Sequence, residues 1–251
     1  MNTPETFEAD LHVDDVRYSR YERGYLMLAS AFVVVLVLTN IVGIKLFRSP
    51  FDPEFALTTG IITYPVTFLI TDLVSEIYGK RRADFMVLIG FLMSCLMLVI
   101  VQIALAVPPH PYWVPPEGAF YPDVDGYQHA FKSVFALNGV LLLGSMSAYA
   151  VAQLTDNKLY HFWKRVTKGK HLWLRNNAST WVSQALDTLV VNSILFYIGF
   201  GMEISVGLGI MFTIYWHKVL IAAIDTPLIY LGVYLLKKWI SGDPNSQQVT
   251  S

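Results

Sequence analysis

Apolar residues run through this chain in six long blocks, at about 25–46, 58–78, 84–106, 134–156, 179–200 and 206–236. Each approaches the roughly 20 residues a helix needs to cross hydrocarbon. Polar side chains recur inside five of the blocks, and they recur at helical spacing. The second block places Pro65, Phe68, Asp72, Glu76 and Gly79 on one stripe at 100° per residue. The fourth aligns Ser145, Tyr149, Gln153 and Asp156, and the fifth aligns Asn176, Thr180, Ser183, Gln184 and Asp187. Lys218 and Asp225, two turns apart in the sixth, face the same way, and the first block adds Asn40. The third is almost purely apolar and is expected to pack outside. The pattern predicts an all-α membrane protein, a bundle of six transmembrane helices around a shared polar interior.

Composition fits that class. The chain is 54% hydrophobic and 15% charged, with a mean hydropathy of +0.47, more apolar than a soluble domain of 251 residues. Cys95 is the single cysteine, so neither a disulfide framework nor a cysteine metal cluster is available. A net charge of −1 gives no sign of nucleic-acid binding. Residues 1–24 are polar and rather acidic, and they read as a mobile cytoplasmic tail rather than a cleavable signal. Residues 25–238 are expected to form the six-helix membrane domain, and residues 239–251 a second cytoplasmic tail. The segment PPHPYWVPPEGAFYPDVDGYQ (108–128) is too rich in proline for a helix and suits an interfacial loop.

Orientation follows from the basic residues. One side holds Arg17, Arg20 and Arg23, Lys80 to Arg82, the basic 157–178 segment, and Lys237 with Lys238; the other holds only Lys45, Arg48 and Lys132. By the positive-inside rule both termini are cytoplasmic.

The intramembrane carboxylates carry the candidate chemistry. A carboxylate near the bilayer centre costs about 2.5–3.5 kcal/mol on insertion scales, so such groups face a bundle interior or a wet cavity. Asp72, Asp187 and Asp225 lie deepest, with a structural pairing to Lys218 as the alternative to a functional role. Glu76 sits nearer the basic loop, where pairing with Lys80 or Arg81 would make it a brace. Asp156 reads as a solvated helix end. Asn40 would serve equally as interhelical glue, since such hydrogen bonds contribute about 0.6 kcal/mol on average. Pro65 and Pro227 each remove a main-chain donor and free a carbonyl, as in the interrupted helices of transporter sites. A helix-packing kink is the alternative. His217 lies off the Lys218–Asp225 stripe and reads as a packing residue.

Three stretches carry a resemblance: YPVTFLITDLVSEIYGKRRA (64–83), LRNNASTWVSQALDTLVVNSILF (174–196) and KVLIAAIDTPLIYLGVYLLKK (218–238). Together they resemble the bacterial queuosine-precursor transporter family, also called the vitamin uptake transporter family. The resemblance covers about residues 25–238 and leaves out both tails. It implies a multi-pass protein of the bacterial inner membrane that imports 7-deazaguanine bases (the 7-cyano or 7-aminomethyl base, or queuine) for salvage into tRNA modification. Such a base offers two donors, the ring N–H and the exocyclic amine, beside a carbonyl acceptor. One carboxylate accepts both donors side by side. Asp187 or Asp72 is the expected partner of that edge, with Gln184, Asn40 or Lys218 completing the polar contacts and Phe68 offering a stacking surface. The candidate substrate-binding set is thus Asn40, Phe68, Asp72, Glu76, Gln184, Asp187, Lys218 and Asp225.

A coupling proton, if one is used, is expected on Asp72, Glu76, Asp187 or Asp225; facilitated diffusion followed by trapping fits equally. Partners are the small-molecule substrate and the bilayer, with a homo-oligomer permitted by the small-residue stripe Gly144, Ala148 and Ala152. No cofactor or metal is expected. Absence of a P-loop means that this chain does not hydrolyse ATP by itself, although it fits the substrate-binding subunit of an ATP-driven importer. An intramembrane enzyme is the remaining rival, but neither G-x-S-x-G nor H-E-x-x-H occurs.

Overall fold

The computed structural model describes residues 4–43, 45–48, 56–115, 120–135 and 139–242. Helix α1 spans Pro4–Val42, so the polar N-terminal stretch is helical from Pro4 onward and continuous with the apolar block. A two-stranded antiparallel ribbon follows, β1 (Leu46–Arg48) against β2 (Ala56–Thr58), with Phe47 opposite Leu57. Apart from this ribbon the described chain is helical. Helix α2 (Gly60–Ile77) turns into α3 (Lys80–Ala106) through Gly79, whose φ of 84° is the left-handed conformation that glycine adopts without strain.

After a single 3₁₀ turn at Pro111–Trp113 comes α4 (Val124–Phe135), an element that the proline-rich reading of 108–128 did not anticipate. The prolines all precede it, so nothing hinders a helix from Val124 onward. Helix α5 (Gly139–Val166) and α6 (Leu172–Ser193) are each longer toward the basic loop than their apolar blocks. A π-helical turn, Ile194–Gly199, ends α6, and α7 (Ile204–Ser241) closes the chain. Both α2 and α7 run unbroken through Pro65 and Pro227, so neither is an interrupted helix.

The molecule is apolar outside and polar within. Leu88, Leu92, Leu96 and Ile100 on α3, and Phe212, Trp216, Leu220 and Ile224 on α7, are exposed in rows at helical spacing. Asp72, Gln153, Asp156, Asn176, Ser183 and Asp187 are buried. A water-soluble fold has the opposite arrangement; this one suits lipid, where main-chain groups are satisfied inside each helix and side-chain polarity is turned inward. Among the described residues, five helical segments are long and apolar enough to cross a membrane: Val16–Val42, α2, α3, α6 with its π turn, and α7. The chain is a helical, multi-pass membrane protein.

Tight apolar seams hold the bundle at either side of that interior. Phe32, Leu36, Val74, Met86 and Val87 join α1, α2 and α3. Leu73, Tyr160, Ile229 and Val233 join α2, α5 and α7. The small residues Ala148 and Ala152 are buried, and Gly144 faces Ile194, so the small-residue stripe of α5 is used within the chain.

Gly90 allows α3 to lie close against α1: a Cβ there would come within 2.6 Å of the Phe32 ring and 2.9 Å of Leu36. Phe32 is fully buried and has no room to give. Gly90→Val should therefore lower thermal stability in detergent by about 1–3 kcal/mol, the usual cost of overpacking. An unchanged melting temperature would mean that the α1–α3 seam is looser than described.

Candidate functional site

Four helices build the polar interior, because each carries its polar residues on one stripe and a bilayer forbids turning that stripe outward. Two adjoining chambers open there. The larger is lined by Ile61, Pro65 and Phe68 from α2, Thr180 and Gln184 from α6, and Lys218, Ile221, Ala222 and Asp225 from α7. The smaller lies between Phe68, Leu69, Asp72, Asn176, Thr180, Ala222, Asp225 and Ile229. Phe68, Thr180, Ala222 and Asp225 line both, which makes the two one cleft with a waist.

At the wide end, Lys218 Nζ donates to Asp187 Oδ2 at 2.6 Å, with both side chains at least nine-tenths buried. Among the described residues, the second oxygen of Asp187, and Oε1 of Gln184 one turn earlier, meet no donor. Phe68 stands at the waist, edge-on to Tyr149 with ring centroids 6.5 Å apart. At the narrow end Asp72 is 3% exposed, and its Oδ1 is without a donor among the described residues. Asp225, half-buried between the chambers, has no hydrogen-bond or ion-pair partner among the described residues. The cleft therefore offers unfilled acceptors along both walls, a lysine at one end and an aromatic face between. Such a set can take a planar, neutral molecule with donors on one edge and an acceptor on another.

Beyond Asp72 the interior is closed by an ion cluster. Glu76 Oε2 accepts from Lys164 at 2.8 Å, Arg175 at 2.7 Å and the Tyr160 hydroxyl at 3.0 Å. Arg175 also donates to the Gly169 carbonyl at 2.8 Å and lies over the Tyr160 ring. This ties α2, α5 and α6 together at one point. The same end has a second lock: Arg82 grips Glu22 through two hydrogen bonds, 2.6 and 3.1 Å, and sits among the rings of Tyr21, Tyr25 and Tyr78.

Of the residues singled out from sequence, Phe68, Asp72, Gln184, Lys218 and Asp225 line the cleft, and Asp187 stands behind Lys218. Glu76 lies one turn past Asp72, in the ion cluster. Its partners are Lys164 and Arg175 rather than Lys80 or Arg81, because Lys80 bridges to Asp84 on its own helix. Asn40 is brought elsewhere. Its amide donates to Ser94 at 3.1 Å on the α1–α3 seam, apart from the residues that line the cleft. Asp156, expected at a solvated end, is fully buried, because α5 continues another ten residues to Val166. His217 Nδ1 is 2.8 Å from the Thr213 carbonyl of its own helix.

Arg175 is the functional residue that sequence reasoning missed. Counted as one more basic loop residue, it is 2% exposed inside α6. The signal was its place at the head of the polar run RNNAST, which extends the α6 stripe backward by a turn.

A family model described as "putative vitamin uptake transporter" matches residues 58–232. The chain is also similar to a protein of Bacillus subtilis (strain 168) described as a "probable queuosine precursor transporter". The two are 29% identical over 190 residues, 75% of either chain. No solved structure matches.

The two cations on Glu76 should not weigh equally. Arg175→Met removes the buried partner and should destabilise the protein by about 3–5 kcal/mol, as breaking a buried pair does. Lys164, about a third exposed, belongs with surface pairs, so Lys164→Met should cost about 0–1 kcal/mol. Thermal unfolding of the purified variants reads the difference; equal losses would contradict the assignment of Arg175 as the central tie.

Proposed function

This chain belongs to the vitamin uptake transporter family, and from that we propose that it imports queuosine precursors, 7-deazaguanine bases, across the bacterial inner membrane. The cleft is the observation that carries the reading. Asp225 and Lys218 line one chamber, Asp225 and Asp72 the other, and the buried Phe68 ring lines both; Asp225 and Oδ1 of Asp72 have no partner among the described residues. We assign the donor edge of the base to Asp225 or Asp72, its carbonyl to Lys218, and its ring face to Phe68. Asp187 is less suited to the donor edge than its depth suggested, because Lys218 already occupies one of its oxygens.

In this reading α5 makes the sixth crossing. At 28 residues it is about 42 Å long, enough to span the bilayer, and its inward stripe is what makes it polar. Both chain ends then face the cytoplasm. In support, Arg20 of α1 lies against Gly242 after α7, at the end that also carries the Arg82–Glu22 lock. The Glu76–Arg175–Lys164 cluster then sits at the cytoplasmic mouth and closes it while the cleft receives substrate from the other side. Opening inward requires that α2 separate from α5 and α6 at this cluster.

Uptake of labelled 7-cyano- and 7-aminomethyl-7-deazaguanine by a strain that cannot make them tests the reading. Wild type should restore uptake. Asp225→Asn should reduce it roughly 10- to 150-fold at subsaturating substrate, the equivalent of losing a hydrogen bond to a charged group worth about 1.5–3 kcal/mol. No uptake with well-expressed wild type would remove the substrate assignment.

A further inference from the structure

Asp156 is 0% exposed, enclosed between α5 and α6, with no ion pair among the described residues. Ser183 Oγ lies 2.8 Å from its Oδ1, the Ser179 and Thr180 hydroxyls lie beside the same carboxylate, and Oδ2 meets no donor. Each hydroxyl has one proton. Ser183 is also 3.0 Å from the Thr180 carbonyl, and Ser179 is 3.1 Å from the Asn176 carbonyl, so two of the three protons have main-chain acceptors to serve. Ser183 donates to Oδ1, the other neighbours are neutral hydroxyls, and Oδ2 is left without a donor among the described residues.

No cation compensates. From α2 the titratable group that faces Asp156 is Asp72, and from its own helix Tyr149. On α6, Arg175 is engaged by Glu76 and Asp187 by Lys218. On α3, Asp84 is held by Lys80 and by the Asn157 amide. Hydrogen bonds from Gln153 to Thr71 and from Ser75 to Asn157 hold α5 against α2 on either side of Asp72 and Asp156. Two enclosed carboxylates side by side do not both carry a charge without a cation between them. A sodium ion would need several oxygen ligands, usually including carbonyls freed by an unwound helix. Here α5 and α6 are regular helices through Asp156 and Leu172–Ser193. A proton needs only the carboxylate and a hydroxyl oxygen to accept from it.

We propose that Asp156, sealed against the hydroxyls of Ser179, Thr180 and Ser183, carries a proton that crosses the membrane with the substrate, exchanged with the cleft through Asp72. The inference rests on the transport reading above. Asp72 lines the narrow chamber and so meets the water of the open cleft, while Asp156 is fully buried and is not among the residues that line it. The proton enters from water on one side and returns to water on the other, and no further reactant is consumed. Import is then driven by the proton gradient, and the neutral pair Asp72–Asp156 is the form that tolerates the change of access.

The test uses the full chain in proteoliposomes with labelled 7-cyano-7-deazaguanine. With an inward proton gradient, wild type should accumulate the base above its external concentration and acidify the lumen, whether or not sodium is present. Asp156→Asn should keep exchange of labelled for unlabelled base without a gradient, yet lose accumulation and proton movement. Asp156→Glu should recover proton-driven uptake. Accumulation by Asp156→Asn under the proton gradient, or wild-type accumulation that follows sodium and ignores pH, would overturn the proposal. A substrate-free measurement separates it from the transport reading. The protonated-carboxyl infrared band of the purified protein at neutral pH should lose intensity in Asp156→Asn and keep it in Glu76→Gln. An unchanged band in Asp156→Asn overturns the proton site even if uptake is normal. A weakened band with no uptake by wild type leaves the proton site standing and removes the substrate.

Discussion

The Lys218–Asp187 pair, 2.6 Å apart and almost closed to solvent, is the contact on which the interior depends. Neither charge is tolerated alone at that depth, so α6 and α7 are required to meet there with the Thr180–Gln184–Asp187 stripe of one helix facing the Lys218–Asp225 stripe of the other. That register sets two walls of the cleft. The third wall is α2, whose Phe68 and Asp72 are brought inward by the same constraint acting on its own carboxylates. The outward faces are then left apolar, as lipid demands.

From this contact the interior grades from cleft to closure. Near Lys218 acceptors are unfilled and a cleft opens; at Glu76 one carboxylate oxygen takes two cations and a phenol. One chemistry, carboxylates inside a membrane, thus serves two ends. Where partners are missing, a substrate or a proton can supply them. Where partners are present, helices are tied, and movement requires breaking the tie.

The helical membrane class was legible from apolar block lengths, and the inward faces of α2, α6 and α7 from the period of their polar residues. Phe68, Asp72, Gln184, Lys218 and Asp225 were legible as one set because depth and helical face follow directly from position. Other features depend on contacts that the one-dimensional pattern does not carry. Asn40 has the depth of a site residue, yet the rotation of α1 turns it to Ser94. Asp156 and Arg175 looked like interface charges because the helix ends were placed where hydropathy falls, whereas α5 and α6 continue into the basic loop and bury both. The prolines suggested broken helices, but a bilayer helix passes through a proline when neighbours satisfy the freed carbonyl. The ribbon at 46–58 and helix α4 lie in segments too short for periodicity to reveal.

Central to the account is recognition of a donor edge by a carboxylate in the cleft. Equilibrium binding to the purified protein of 7-cyano-7-deazaguanine, against its analogue lacking the exocyclic amine, addresses that contact without transport or energy coupling. The account predicts that the analogue binds at least about tenfold more weakly, because a buried carboxylate loses a donor that nothing else replaces, and that Asp225→Asn or Asp72→Asn abolishes the difference. Equal affinity of the two bases for wild type would contradict it.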